Sequence, residues 1–217
     1  MLLLALAACG TPAPAARDDG PPRYAGRPIA PTMSYLGADW LDRPERAERE
    51  QPDRVIAALH VAPGATVADV GAGTGYFTVR LARAVGERGK VYATDLQPEM
   101  LRLLADRLAR EHVANVVLRK AGDRDAALPA RCCDLVLLVD VYHELADPAA
   151  VMAGIRAALR AGGRVVLVEY RGEDPAVAIK PEHKMTLGQL RTELEAMGFS
   201  FVESLEFLPD QHVAIFR

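Results

Sequence analysis

The chain has 217 residues, of which 50% are hydrophobic and 25% charged, so it can bury one sizeable core but hardly two. Its formal net charge is -3 and its lysines and arginines are scattered, which excludes a general attraction to polyanions and predicts no nucleic-acid partner. Three cysteines, two of them adjacent, exclude a disulfide framework.

Residues 1–30 are expected to form a leader segment and a flexible tether. Their apolar run is too short to span a membrane, and a stretch rich in Pro, Ala and Gly follows it. Leu6, Ala7, Ala8 and Cys9 resemble the lipobox of bacterial lipoproteins, although no basic residue precedes the apolar run as an export signal requires. We therefore expect a lipid anchor at Cys9 on the periplasmic side of a membrane, and a cytoplasmic protein if that resemblance misleads.

Residues 31–217 are expected to form a single domain that begins with a helical segment over residues 31–60. Pro44 and Pro52 suit first helical positions, and Asp42 suits a cap. Short apolar runs then alternate with longer amphipathic segments, which predicts a parallel sheet covered by helices on both faces. The expected strands are 66–70, 90–94, 116–120, 134–139 and 163–169, and the expected helices lie near 75–85, 98–111 and 148–160.

The end of the chain breaks this alternation. A further helix starts with Thr186 and Gln189 at the spacing of a capping box and closes at Gly198. The stretches "FSFVESLEFL" and "HVAIFR" follow, separated only by "PDQ", which is too short for a helical crossover. They predict an antiparallel hairpin at the edge of the sheet.

The stretch "VADVGAGTGYFTVRLA", residues 67–82, places three glycines where a strand turns into a helix. Gly71, Gly73 and Gly75 allow positive φ angles and a close approach of the backbone to a ligand. Dinucleotide, mononucleotide and sulfonium cofactors all use such turns. The spacing here is G-x-G-x-G, and Tyr76 occupies the position of the last glycine in the dinucleotide pattern.

Acidic residues at successive strand ends narrow the choice of ligand. Asp69 precedes the first glycine by two positions, where like charges at 4 Å repel by about 4 kcal/mol and disfavour a diphosphate. A cationic ligand such as S-adenosylmethionine is favoured instead, with its ammonium held by Asp69 directly or through water. Asp95 can accept hydrogen bonds from ribose hydroxyls, and Asp123, after Gly122, can accept the exocyclic amine of adenine.

The stretches "VADVGAGTGYFTVRLA", "VYATDLQPEM", "AGD" and "AGGRVVLVEY" resemble the successive motifs of class I S-adenosylmethionine-dependent methyltransferases over residues 55–217. This resemblance implies an α/β, Rossmann-like fold whose seven-stranded, mostly parallel sheet has helices on both faces and a C-terminal antiparallel hairpin strand. It also implies S-adenosylmethionine as the cofactor. The cofactor-binding residues that it implies are Asp69, Gly71, Ala72, Gly73, Gly75, Tyr76, Asp95, Leu96, Gly122, Asp123 and Asp140.

The stretch "LVDVYHELADP" ends the fourth strand beside the expected sulfonium. His143 is the candidate general base because the ordinary pKa of histidine is near 6.5, and Tyr142 and Glu144 complete the candidate catalytic group. Further groups are expected near the acceptor: Glu169, Tyr170, Arg171, Lys180, His183 and Lys184. His143, Glu144 and His183 lack a tight ligand spacing, so we predict no metal site.

Several alternatives stay open at this stage. No large insertion interrupts the domain, which favours a small-molecule methyl acceptor, and Tyr35, Trp40 and Arg46 are candidates for a lid over it. A nicotinamide-dependent oxidoreductase on a similar fold is one rival. A lipid-anchored nucleoside-binding module without catalysis is another, because S-adenosylmethionine is made inside cells.

Overall fold

The computed structural model describes residues 22–217, so the predicted lipid anchor at Cys9 and most of the tether lie outside the described residues. Within residues 22–217, no helix is both long enough and apolar enough to cross a membrane. The described chain begins with a small antiparallel pair, β1 (Arg23–Tyr24) and β2 (Arg27–Pro28). A 3-10 segment (Tyr35–Asp42) and two short helices, α1 (Glu45–Arg49) and α2 (Pro52–Ala58), come next.

The main sheet is formed by β3 (Thr66–Val70), β4 (Lys90–Asp95), β5 (Val116–Lys120), β6 (Cys133–Val139), β7 (Leu159–Arg171), β8 (Lys184–Met185), β9 (Phe201–Leu205) and β10 (Gln211–Phe216). The spatial order is β5-β4-β3-β6-β7-β10-β9, and β8 pairs with β7 outside this path. Strands β3 to β8 pair in parallel, whereas β10 is antiparallel to both β7 and β9. The predicted hairpin at the sheet edge is therefore confirmed, and the sheet has eight strands rather than the predicted seven.

The eighth strand is the two-residue β8, which the alternation of the sequence does not reveal. Its pairing places Lys184 beside Tyr170 and Met185 beside Arg171. Two residues are too few to show a hydrophobic period in the sequence. The strand β8 forms because the chain returns alongside β7 and pairs with it.

Helices cover both faces of the sheet, as predicted. They are α3 (Thr78–Val85), α4 (Pro98–Arg110), α5 (Pro148–Ala158) and α6 (Leu187–Ala196). Alternate residues of β6 show the division, since Leu135 and Leu137 pack with α2 and α3 while Val136 and Leu138 pack with α5 and α6. A strand covered on both faces reads as a continuous apolar run, which is why β6 and β7 were visible in the sequence.

Helix starts follow their sequence signals closely. Pro52 and Pro98 are the first residues of α2 and α4, as expected. Thr186 caps α6 by accepting a hydrogen bond from the backbone N–H of Gln189, but the Gln189 side chain bonds Glu193 instead of completing a capping box. Gly198 follows α6 with φ +84°, in keeping with its predicted role as a C-terminal cap.

The order of strands reverses between β3 and β6. From β3 the chain proceeds through β4 to β5 on one side, and from β6 to β7 on the other. Ligands of open parallel sheets bind outside the carboxyl ends of the strands at such a point. Gly71 and Asp140, which directly follow β3 and β6, stand at this reversal.

Candidate functional site

A cavity of about 570 Å³ lies beyond the carboxyl ends of the parallel strands, and residues 32–46 of the N-terminal segment form part of its wall. The remaining wall comes from the glycine turn, the ends of β4, β5 and β6, and residues 178–183 after β7. This is the size and position expected of a small-molecule site on an open parallel sheet. The predicted cofactor-binding residues that line it are Gly71, Gly73, Asp95, Leu96, Gly122, Asp123 and Asp140.

Two glycines give the turn its shape. Gly71 has φ +72°, and a Cβ atom there would collide with the side chain of Val141. Gly73 has φ +53°, and a Cβ atom there would lie 2.7 Å from Leu41 Cδ1. Any larger residue would therefore strain the backbone and press on either the end of β6 or the N-terminal segment.

Asp69 lies behind this turn rather than in the cavity wall. Its side chain is buried, and its Oδ2 accepts a hydrogen bond of 2.5 Å from Thr78 Oγ1. Burial raises the pKa of Asp69 to about 6, against the opposing effects of the Thr78 hydrogen bond and the positive charge of Arg46. The geometry does not offer this carboxylate for direct contact with a ligand in the cavity, so its predicted role with an ammonium group stays a prediction.

Asp95 joins the glycine turn to the end of β4. Its Oδ2 accepts a 2.9 Å hydrogen bond from the backbone N–H of Gly73, and its Oδ1 accepts one of 2.8 Å from that of Gln97. Burial raises its pKa, while the hydrogen bonds from Gln97 and Gly73 counteract that rise. A carboxylate oxygen accepts more than one hydrogen bond, so both oxygens keep capacity for ligand hydroxyls in the cavity.

Asp140 directly follows β6 and has an uncommon backbone conformation, with φ +54°. Its two carboxylate oxygens each lie 2.9 Å from Gln211 Nε2 of β10. Burial, together with the neighbouring carboxylates of Glu50 and Glu169, raises its pKa well above the ordinary value. Asp140 therefore places an acidic group on the cavity wall, and its role as a cofactor-binding residue stays a prediction.

His143 is buried and held at both ring nitrogens. Its Nδ1 lies 2.5 Å from Glu169 Oε2, and its Nε2 lies 3.1 Å from His183 Nδ1. Burial alone would lower the pKa of His143, but the Glu169 carboxylate raises it above the ordinary value overall. Burial also raises the pKa of the adjacent Glu144 to about 7. The loop after β6 therefore presents a histidine oriented by a carboxylate to the cavity.

Tyr142, the other candidate catalytic residue of this loop, points elsewhere. Its ring is fully buried, and its hydroxyl donates a 2.7 Å hydrogen bond to Glu193 Oε2 on α6. Burial and the negative charge of Glu193 raise its pKa. Tyr142 is not among the residues of the cavity wall, so the geometry supports a structural rather than a catalytic role. The other predicted residues outside the wall are Ala72, Gly75 and Tyr76.

The N-terminal segment closes one side of the cavity. Of the three lid candidates, Trp40 and Arg46 line the cavity, whereas Tyr35 does not. Arg46 Nε lies 2.6 Å from Glu50 Oε2, and Arg43 lies 2.8 Å from Glu50 Oε1. The buried Glu50 thus fixes two cationic side chains at the cavity edge, an arrangement that the solvated-looking sequence "DRPERAERE" did not reveal.

Of the residues that the sequence predicted near the acceptor, some line the cavity and others do not. Tyr170, Lys180 and His183 line the cavity. Arg171 instead pairs with Glu206, and Lys184 donates to the backbone carbonyl of Asp174. Sequence reasoning placed Glu169 and His183 near the site but missed their contacts with His143, since 26 and 40 residues separate them and no spacing rule applies.

Comparisons with known proteins agree with this geometry. Residues 67–163 match the family model described as a methyltransferase domain. The ubiquinone/menaquinone biosynthesis C-methyltransferase UbiE of Burkholderia orbicola (strain MC0-3) is 33% identical over 115 residues, which cover 53% of this chain and 47% of that protein. The chain thus spans about half the length of the curated relatives it matches.

Two solved structures show the breadth of the fold. A SAM-dependent methyltransferase from Aquifex aeolicus has a TM-score of 0.81 at 24% identity and covers 85% of this chain and 98% of that one. The [4+2]-cyclase SpnF has a TM-score of 0.67 at 15% identity and covers 79% of this chain and 82% of that one. Since a cyclase shares the architecture, the similarity to these structures shows the fold only. The activity has to be inferred from the residues of the site.

Proposed function

Residues 67–163 match a methyltransferase domain, and from this premise we propose that the chain is a class I methyltransferase that transfers a methyl group from S-adenosylmethionine to a small molecule. One observation carries the proposal. The glycine turn, Asp95 and Asp123 lie at the ends of β3, β4 and β5, whereas Asp140 and His143 follow β6 on the other side of the strand-order reversal, and all of them line one cavity. A nucleoside and a second small molecule therefore have adjoining places in one enclosure.

The cofactor end of the cavity fits an adenosyl group by its chemistry. The Asp95 carboxylate suits ribose hydroxyls, and Asp123 after β5 suits the amine of adenine. A sulfonium near the end of β6 would meet the carboxylate of Asp140, whose negative charge favours a cation. Trp40 and the paired Arg43 and Arg46 of the N-terminal segment enclose the same space.

The acceptor end favours a small, partly apolar molecule. Its apolar wall includes Trp40, Leu145 and Ile179, whereas His143 and Lys180 supply polar groups. Such a mixture orients a small ligand by a few polar contacts and binds it by apolar burial. UbiE, by its name a C-methyltransferase of quinone biosynthesis, is one precedent for an acceptor of this kind.

Methyl transfer from a sulfonium is an in-line displacement: the acceptor forms a bond to the methyl carbon as the carbon–sulfur bond breaks, and S-adenosylhomocysteine leaves. The chain contributes by aligning the two ligands and excluding water. His143 is the proposed base for an acceptor that must lose a proton, because Glu169 holds its Nδ1 and Nε2, beside His183 Nδ1, is the nitrogen left to take a proton.

The two alternative functions, an oxidoreductase and a binding module without catalysis, predict different ligands and different activities. A nicotinamide-dependent oxidoreductase would bind a dinucleotide, but the G-x-G-x-G turn lacks the last glycine of the dinucleotide pattern, whose position Tyr76 occupies. A binding module without catalysis would bind S-adenosylhomocysteine and methylate nothing.

Calorimetric titration of the full chain with S-adenosylhomocysteine and with NAD tests the proposal. We expect binding of the first and not of the second, and methylation of at least one member of an acceptor panel. Asp95→Ala removes charge-assisted hydrogen bonds to the ribose and is expected to weaken S-adenosylhomocysteine binding by about 100-fold.

Asp106→Ala is the matched control, because Asp106 is an exposed aspartate of α4 that lies outside the cavity wall. Its affinity should equal that of the unmodified chain, and circular dichroism should show that both variants are folded. Folded protein that gives no heat with S-adenosylhomocysteine would contradict the proposal, and equal loss in both variants would contradict the role of Asp95.

A further inference from the structure

Three side chains of the metal-ligand type converge at the acceptor end of the cavity. His143 Nε2 lies 3.1 Å from His183 Nδ1 and 3.9 Å from Glu144 Oε1, and His183 Nδ1 lies 3.8 Å from the same Glu144 oxygen. All three residues line the cavity. We propose that His143, Glu144 and His183 bind one divalent metal ion of the zinc class, with an open coordination position facing the cavity.

The three distances suit a single ion. Three atoms separated by 3.1, 3.8 and 3.9 Å lie on a circle whose radius is about 2.1 Å, which is the usual length of a zinc bond to histidine nitrogen or carboxylate oxygen. An ion close to the plane of these atoms reaches all of them without a large movement of any side chain. Two histidines and one glutamate form a known zinc-binding combination that leaves a further position for water or substrate.

Glu169 supplies the supporting contact that a metal-bound histidine requires. Its Oε2 lies 2.5 Å from His143 Nδ1, and its Oε1 accepts hydrogen bonds from the backbone N–H groups of Val141 and Tyr142. With the Nδ1 proton donated to this carboxylate, Nε2 would present its lone pair to a metal ion. A carboxylate behind the histidine ring is the arrangement that fixes the tautomer and increases the basicity of a ligating histidine.

The local charge also suits a dication. Glu144 and Glu169 place two carboxyl groups beside the two histidines, and Asp140 lines the same cavity. Lys180 also lines the cavity, and its flexible stem lets its ammonium group move toward solvent. A bound dication would balance carboxylates that otherwise lie close together in a largely buried setting.

The inference goes beyond methyl transfer and does not depend on it. An ion at this position offers its open coordination site to an oxygen, nitrogen or sulfur atom of a molecule in the cavity, and a Lewis acid lowers the pKa of such a group. With His143 Nε2 bound to the ion, that nitrogen is no longer free to take a proton. The metal would then perform the activation assigned to His143 in the metal-free protein.

The sequence predicts no metal site, because no tight ligand spacing joins the two histidines, which lie 40 residues apart. The pairing of β7 with β8 changes this, since it brings His183, immediately before β8, to the end of β6. The ligand spacing rule covers ligands within one turn or helix, whereas this cluster is assembled across the sheet.

Titration of the metal-stripped full chain with Zn²⁺, followed by calorimetry, tests the proposal. We expect one ion per chain and a rise in the thermal unfolding midpoint on binding. His183→Ala and Glu144→Gln each remove one ligand and are expected to weaken binding by at least about 100-fold. Glu169→Gln leaves the ligands in place and is expected to weaken it by about 10- to 100-fold.

His112→Asn is the matched control, because His112 is an exposed histidine at φ +53°, a conformation that asparagine tolerates. Its affinity should be unchanged. X-ray absorption of the zinc-loaded chain should show nitrogen and oxygen neighbours at about 2.0–2.1 Å. The proposal fails if folded protein binds no Zn²⁺, if His183→Ala binds it unchanged, or if sulfur neighbours at about 2.3 Å place the ion on Cys132 and Cys133 instead.

Discussion

At the scale of a single residue, the sequence predicted the position of Asp69 but not the direction of its side chain. The sequence placed this carboxylate correctly at the end of β3, directly before the glycine turn. The structure turns the side chain into the protein, where it accepts a hydrogen bond from Thr78 at the start of α3. A strand position two residues before the turn fixes the location of a side chain, but the alternation of strand faces decides whether it meets the ligand.

The buried carboxyl of Asp69 predicts a pH-dependent stability. Its folded pKa of about 6 lies above the ordinary 3.8, so the folded state binds more protons than the unfolded state between these values. This group therefore contributes most to stability below about pH 4, and the contribution, up to about 3 kcal/mol, is lost as the pH rises through 6. Asp69→Asn keeps an acceptor for Thr78 and cannot ionise.

Urea unfolding of the ligand-free protein at pH 4.5 and pH 7.5 measures the effect. The unfolding free energy of Asp69→Asn relative to the unmodified chain should increase by about 2 kcal/mol between the two pH values. Asp106→Ala should show no comparable change. An equal difference between Asp69→Asn and the unmodified chain at both pH values would refute the raised pKa.

At the scale of elements, the helix ends follow local sequence signals most faithfully. Thr186 caps α6 as predicted, because its side-chain oxygen satisfies one of the N–H groups that the first turn leaves unpaired. The capping box is not completed, because the Gln189 side chain donates to Glu193 one turn later instead of bonding back to the backbone of Thr186. Pro44 precedes α1 rather than opening it, which is within the one-residue uncertainty of helix ends.

Removal of the cap of α6 should have a modest, measurable cost. Thr186→Ala deletes the oxygen that accepts from Gln189, and we expect a loss of about 1 kcal/mol in the free energy of unfolding. Thr192→Ala is the control in the same helix, because the Thr192 hydroxyl donates to the backbone carbonyl of Gly188 one turn earlier and caps no helix end. It should be neutral or slightly stabilising, since alanine is the better helix former. Equal losses in both variants would count against the cap.

At the scale of the whole molecule, a buried ion pair fastens the N-terminal segment to the sheet domain. Arg27 of β2 lies 3.0 Å from Glu193 of α6, and it also donates to the backbone carbonyl of His143. The Tyr142 hydroxyl donates to the same glutamate. This cluster therefore links the segment that borders the cavity to α6 and to the loop that carries His143.

Breaking this cluster should be costly. Arg27→Ala leaves Glu193 buried without its cation, and we expect a loss of about 3 to 5 kcal/mol in the free energy of unfolding, measured by chemical denaturation. Arg191→Ala is the control on the same helix, because its pair with Glu195 is largely exposed and should contribute less than about 1 kcal/mol. A similarly small effect for Arg27→Ala would show that the N-terminal segment is not held by this pair.

The sequence by itself determined the alternating strands and helices, the terminal hairpin, and the acidic residues at or just after the ends of β3, β4 and β5. These features arise from local periodicity, from turn chemistry and from the rule that parallel strands place their carboxyl ends at one edge. Only the tertiary structure decided that Asp69 and Tyr142 face inward, that β8 joins the sheet, and that His143 meets Glu169 and His183. Contacts between residues 26 to 166 positions apart leave no period in the chain, because they depend on how whole elements pack.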